Sequence, residues 1–126
     1  MDVIKKENNY VLIGKITDQS LLAQFYSMAD VFIICSKGEN FPTTCIEAQC
    51  CGTPVIGFDV GGTKTTSLLG EDDFVKYGAL EDLQTKLLKK LSGEEVPDIH
   101  AQAQMTYSKE TMSAKYIKIY ESLSNR

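Results

Sequence analysis

A three-layer α/β sandwich, with a parallel sheet covered by helices on both faces, is the fold class that this 126-residue sequence predicts. Three observations lead there. Apolar runs of strand length alternate with segments of helical period. The links between them are short, as in strand–helix–strand units joined by right-handed crossovers. The runs at residues 31–35 (VFIIC) and 54–58 (PVIGF) are almost wholly apolar, which suits strands covered on both sides.

Taken in order, residues 10–14 (YVLIG) form a first strand closed by glycine. Asp18 is a good N-cap for a helix over residues 19–28. Leu21, Leu22, Phe25, Tyr26 and Ala29 share one face of it, so that face packs on a core. Residues 31–35 are the next strand, and residues 36–41 a polar loop. Pro42 suits the first position of a second helix running to about Cys51, with Gly52 as its stop. Residues 54–58 enter another buried strand and residues 59–62 (DVGG) turn out of it. Phe74 and Val75 suggest a short edge strand.

Residues 80–91 form an amphipathic helix with Leu83, Leu87, Leu88 and Leu91 on one side. Lys86, Lys89 and Lys90 are read as its solvated face. Residues 92–97 are a polar break. Ser108 caps a last helix carrying Met112, Tyr116, Ile119, Tyr120 and Leu123. No repeat or low-complexity tract appears.

Composition bounds the function. One domain with a modest core fits this length. A net charge of −4 argues against a nucleic-acid surface, which is normally basic. The first six residues lack the apolar core of a signal peptide, and no run reaches the length of a membrane span. Cys35, Cys45, Cys50 and Cys51 show no C-x-x-C pair, and His100 is the only histidine. They are read as reduced, mostly buried thiols of a cytoplasmic protein with no metal site, and His100 as exposed.

Ligands of parallel sheets sit beyond the carboxyl ends of the strands. Three loops lie there: the one after Gly14, residues 36–42, and residues 59–62. The second is the most informative. A helix amino end exposes unpaired amides and attracts anions, phosphate above all. Here those amides belong to residues near Phe41 to Thr44, with the hydroxyls of Thr43 and Thr44 in the same turn. Glu39 stands before the helix and Glu47 inside it, about 6–8 Å along its axis at about 1.5 Å per residue. A carboxylate accepts hydrogen bonds from vicinal hydroxyls, so the layout matches a sugar, a diphosphate and a second sugar. The same residues also admit a plainer reading. Glu39 is then a solvated loop residue and Glu47 an early-helix acid favoured by the helix dipole.

Glu39 and Glu47, with seven residues between them, match the paired-glutamate motif of a large family of retaining glycosyltransferases. That family (glycosyltransferase group 1) includes bacterial glycogen synthases, sucrose synthases and many lipopolysaccharide and capsule enzymes. The segments "ADVFIICS" and "ENFPTTCIEAQCCGTPVIGFDVGG" resemble its strand, E-G-F-P/G, E-A-x-A-x-G-T-P-V-V and D-V-G-G string. "YVLIGKITDQSLLAQFYSMAD" resembles its strand–Gly–loop–helix unit and "YSKETMSAKYIKIYESL" its closing helix. "ENFPTT" looks most like the exopolysaccharide-type members.

The resemblance implies a Rossmann-like domain, one half of the two-domain GT-B arrangement. Residues 1–126 would be a single C-terminal nucleotide-sugar-binding domain, a fragment lacking its N-terminal acceptor domain. The activity implied is transfer of a hexose from a nucleotide-diphosphate sugar to an acceptor hydroxyl, with retention, in cell-surface polysaccharide synthesis. No cofactor or metal is implied, and membrane contact is expected only through the missing domain. Glu39 would contact the donor hexose and Glu47 the ribose diol. Backbone at Asn40, Phe41 and Pro42 would line the sugar and phosphate, although Pro42 has no N–H to give. Thr43 and Thr44 would lie beside the diphosphate, and backbone at Gly14, Lys15 and Ile16 beside the base. No residue is assigned a catalytic role, and the isolated chain is expected to be inactive.

Two departures stand out. The Arg and Lys that the family usually supplies from an earlier loop are missing, and Lys5 and Lys6 are not convincing substitutes. Thr65 stands where the family often has an acid. Three other readings remain. One is half of a GT-B nucleotide-sugar epimerase. Another is a lone interaction module. The third is a sugar-kinase phosphate turn at residues 59–65 (DVGGTKT), which would need two antiparallel strands around it.

Overall fold

The computed structural model describes residues 5–7, 9–93 and 97–124. Of the expected polar break, residues 94–96 lie outside the described residues, as do residues 1–4 of the amino terminus. Strand β1 (Lys5–Glu7) pairs antiparallel with β2 (Tyr10–Leu12). Helix α1 (Gln19–Ser27) follows, then β3 (Phe32–Ile34), α2 (Thr43–Cys50) and β4 (Val55–Asp59). Two 3-10 turns, Lys64–Thr66 and Glu71–Asp73, lead to β5 (Phe74–Lys76). Three helices close the chain: α3 (Leu80–Leu91), α4 (His100–Tyr107) and α5 (Lys109–Ser124).

Strands β3, β4 and β5 form a parallel sheet in that order, with Phe32 opposite Val55 and Gly57 opposite Phe74. Alternation along β4 sends successive side chains to opposite faces. Val55 joins Ile34, Cys45, Ala48 and Phe74 under α2, with Tyr26 and Phe32 packed alongside. Ile56 and Phe58 join Val75 and Leu83 under α3, with Val31, Ala79 and Leu87 alongside. Two apolar clusters on two faces make the three layers expected. Burying one side chain of this size stabilises the fold by about 1.5–3 kcal/mol. Gly57 sits so close to β3 that an added Cβ would strike the carbonyl and side chain of Ile34. A glycine is required there by the close approach of the backbone.

Several elements differ from the sequence reading. The first strand stops at Leu12 and pairs with β1, outside the parallel sheet. Its three apolar side chains, outside the helix-covered sheet, stay about half exposed. β3 is an edge strand, so Ile33 is 40% exposed on the face where both-sided cover was expected. The face of α1 is half-buried, and none of its residues is fully buried.

Helix α4 is an addition. Its anchors are Ile99 and Ala103, both at 0% exposure. Ala101, Ala103 and Met105, spaced two apart, write no apolar stripe of helical period. His100 is its exposed first residue. Lys90 does not belong to a solvated face. It reaches Asp73 at 3.0 Å, with both side chains largely buried. Of the thiols only Cys45 is buried. Cys50 and Cys51 are half-buried and Cys35 is exposed. Ser108 does cap α5, its hydroxyl accepting from the Thr111 N–H at 3.1 Å.

Candidate functional site

The amino end of α2 is built around Pro42. Its φ of −68° and ψ of 114° are extended, so it is the N-cap and not the first helical residue. Its carbonyl accepts the first helical bond, from the Cys45 N–H at 3.2 Å. The pyrrolidine ring has no oxygen with which to cap the first amides. The ring itself is buried, while Asn40, Phe41, Thr43 and Thr44 are exposed. The helix end therefore opens to solvent with two hydroxyls beside it.

The double glycine braces the chain that precedes this helix. A Cβ on Gly61 would collide with the Glu39 carbonyl, and one on Gly62 with the Asn40 carbonyl. Gly61 also takes a φ of +56°, which favours glycine. The Gly62 N–H donates to the Glu39 carbonyl at 3.3 Å. Glycine here lets two main chains touch. The kinase reading fails on topology, since the strands around this turn, β4 and β5, are parallel.

A buried polar network holds the turn. The Thr63 hydroxyl donates to the Phe58 carbonyl at 2.8 Å and accepts from the Val60 N–H at 3.0 Å. The Thr66 hydroxyl donates to the Thr63 carbonyl at 2.6 Å. Gln49, 1% exposed, donates to the carbonyls of Cys45 and Thr66 and accepts from the Leu68 N–H at 2.8 Å. The Tyr107 hydroxyl donates to the same Thr66 carbonyl at 3.0 Å. Sequence reasoning missed Gln49, Thr63, Thr66 and Tyr107 in this role. Gln49 had a signal: with Cys45 and Ala48 it shares the buried face of α2, a polar residue in an apolar stripe.

Glu47 faces α1. The Tyr26 hydroxyl donates to its Oε2 at 3.1 Å. A cleft of about 330 Å³ lies between the two helices, lined by Leu22, Ala23, Tyr26, Glu47 and Cys50 among others. Burial, and then the hydrogen bond to Glu47, push the Tyr26 phenol from 10.0 up to about 12. Burial also raises the Cys50 thiol, with Cys51 and Glu47 adding to it. The Cys45 thiol is raised too, chiefly by burial; a hydrogen bond with Thr66 acts against this and Glu39 adds to it. Thiolates are disfavoured at both positions, which suits packing better than nucleophilic chemistry.

A second depression, of about 480 Å³, lies at the carboxyl ends of β4 and β5. Asp59, Asp72 and Asp82 balance Lys64, Lys76 and Lys86 around it, and Lys64 bridges Asp59 at 3.2 Å. It contains none of the site residues expected from the sequence. Those residues group as follows. Glu39 and Asn40 lie against the double glycine, Phe41 to Thr44 form the helix entrance, and Glu47 lies one turn inside, toward α1. Gly14, with φ of 74°, Lys15 and Ile16 lie on the loop leading into α1, whose Tyr26 meets Glu47. Among the described residues, no cluster of His, Cys, Asp or Glu stands in a metal-holding arrangement. No helix among them is long and apolar enough to cross a membrane.

The family model described as glycosyl transferases group 1 matches residues 4–110. D-inositol 3-phosphate glycosyltransferase 2 of Catenulispora acidiphila is 47% identical over 51 residues, 40% of this chain and 12% of that protein. The D-inositol 3-phosphate glycosyltransferase of Thermomonospora curvata is 45% identical over 53 residues, 42% of this chain and 12% of its own. That of Jonesia denitrificans is 50% identical over 48 residues, 38% and 11%. The chain thus spans only a small part of the curated relatives it matches.

Proposed function

Because the chain belongs to the group 1 glycosyl transferases, we propose that it holds the nucleotide-diphosphate sugar donor of a retaining hexosyltransferase. The observation that supports this best is the open amino end of α2, with a braced Glu39 before it and Glu47 lining a cleft behind it. In this reading the diphosphate meets the first amides and the hydroxyls of Thr43 and Thr44. Glu39, with backbone at Asn40, Phe41 and Pro42, receives the hexose. Glu47 receives the ribose diol, and backbone at Gly14, Lys15 and Ile16 flanks the base.

Charge developing on the departing diphosphate is stabilised by the helix-end dipoles and not by a protein nucleophile. An acceptor-binding domain outside this chain completes the enzyme, which works in the cytoplasm, in keeping with four unbridged cysteines. For the acceptor, the names of the relatives favour a phosphorylated inositol hydroxyl over a cell-surface polysaccharide.

Titration of the chain with ADP, GDP and UDP, followed by amide NMR, tests the reading. At least one nucleotide is expected to shift Gly14, Thr43, Thr44 and Glu47. Glu47→Gln should weaken it about tenfold, the worth of one charge-assisted hydrogen bond. A chain whose amides ignore all three nucleotides is not a donor site. Sugar transfer by this chain alone would show that no second domain is needed.

A further inference from the structure

Glu47 does not meet its ligand as a freely rotating side chain. We infer that Tyr26 is a positioning residue that orients the Glu47 carboxylate for the ribose of a nucleoside diphosphate, and so sets the preference for ribose over deoxyribose. This rests on the donor-site reading above.

The Tyr26 hydroxyl donates to Glu47 Oε2 at 3.1 Å. Both side chains line the cleft between α1 and α2. Tyr26 is anchored at each end. Its ring meets Phe32 edge-on, with centroids 5.6 Å apart at 71°. Its carbonyl accepts from the Thr53 hydroxyl at 2.6 Å, and Thr53 is buried. An anchored phenol is a fixed donor, and a carboxylate hydrogen-bonded to it loses rotamer freedom before the ligand arrives. With Oε2 engaged, Oε1 is the oxygen offered to a ribose hydroxyl.

Because the phenol holds its proton far above neutral pH, it acts at pH 7 only as a donor to a carboxylate. A carboxylate offers acceptor oxygens, and a ribose hydroxyl can donate to the one that Tyr26 leaves open. A site built to accept a sugar hydroxyl rejects the analogue that lacks it, since the acceptor is then left unpaired.

The test compares ADP, GDP and UDP with their 2′-deoxy and 3′-deoxy forms on the 126-residue chain, by calorimetric titration. Wild type, Tyr26→Phe and Glu47→Gln are measured alongside their melting temperatures. The wild type is expected to prefer one ribonucleotide over a deoxy form by about tenfold. Tyr26→Phe should cut that ratio to about threefold, and Glu47→Gln should cut it at least as far. If Glu47→Gln removes the preference while Tyr26→Phe keeps the wild-type ratio, Tyr26 is only a packing residue; the inference is overturned and the donor site stands. A Tyr26→Phe chain that loses ribo and deoxy affinity equally overturns it in the same way. If the wild type binds none of the nucleotides, or binds ribo and deoxy forms alike, the assignment of Glu47 itself fails and the inference fails with it.

Discussion

β2 and β4 are both short apolar strands, and they end in opposite situations. In β4, Val55, Ile56 and Phe58 are at most 5% exposed. In β2, Tyr10, Val11 and Leu12 are 49–55% exposed. β4 lies between two strands and two helical layers, whereas among the described residues β2 pairs only with β1. Apolar composition brings a strand out of water only when layers exist to cover it. The site follows the same division. The double-glycine turn leaves β4 directly and packs against the carbonyls of Glu39 and Asn40, while the loop at Gly14 leaves β2.

The contrast breaks most easily at the core. Ile56→Ala should cost about 4 kcal/mol, transfer and cavity together, and Leu12→Ala less than about 1 kcal/mol. Equal losses in urea unfolding would erase the distinction between the two strands. Gln49→Leu should come next, at about 2–3 kcal/mol, because it strands the Leu68 N–H and unties Thr66 from α2. Its amide NMR should show Gly61 and Gly62 displaced; an undisturbed turn would mean the network does not brace it.

Tyr26→Phe should cost about 1 kcal/mol near neutral pH. The folded phenol has its value raised from 10.0 to about 12, so its stabilisation is complete below pH 10.0 and fades as pH climbs toward about 12. The gap between wild type and variant should therefore be smaller at about pH 11.5 than at about pH 8. A constant gap would refute the raised phenol, which burial causes first and the hydrogen bond to Glu47 second. Smallest of all, Tyr120→Ser on α5, where Tyr120 is 69% exposed, should change stability by less than about 0.5 kcal/mol.

Much of the site was legible along the chain. The proline before α2, the two glutamates around its start and the double glycine after β4 are local signals, and the fold sets Pro42 at the N-cap of α2 and the double glycine against Glu39 and Asn40. What could not be read is what lies across space. Nothing near Tyr26 in sequence announces Glu47, twenty-one residues on. Nothing near Gln49 announces Leu68, nineteen residues on, or Tyr107 on a helix with no apolar stripe.

The sequence alone determined the alternation of strands and helices, the two-faced strand at β4 and the glycines where main chains must approach. These follow from side-chain period and backbone sterics, which act over a few residues. Tertiary structure alone decided which apolar strand is covered, which carbonyl each glycine touches and which donor holds Glu47. Those outcomes depend on contacts between elements far apart in the chain, whose partners no local pattern names.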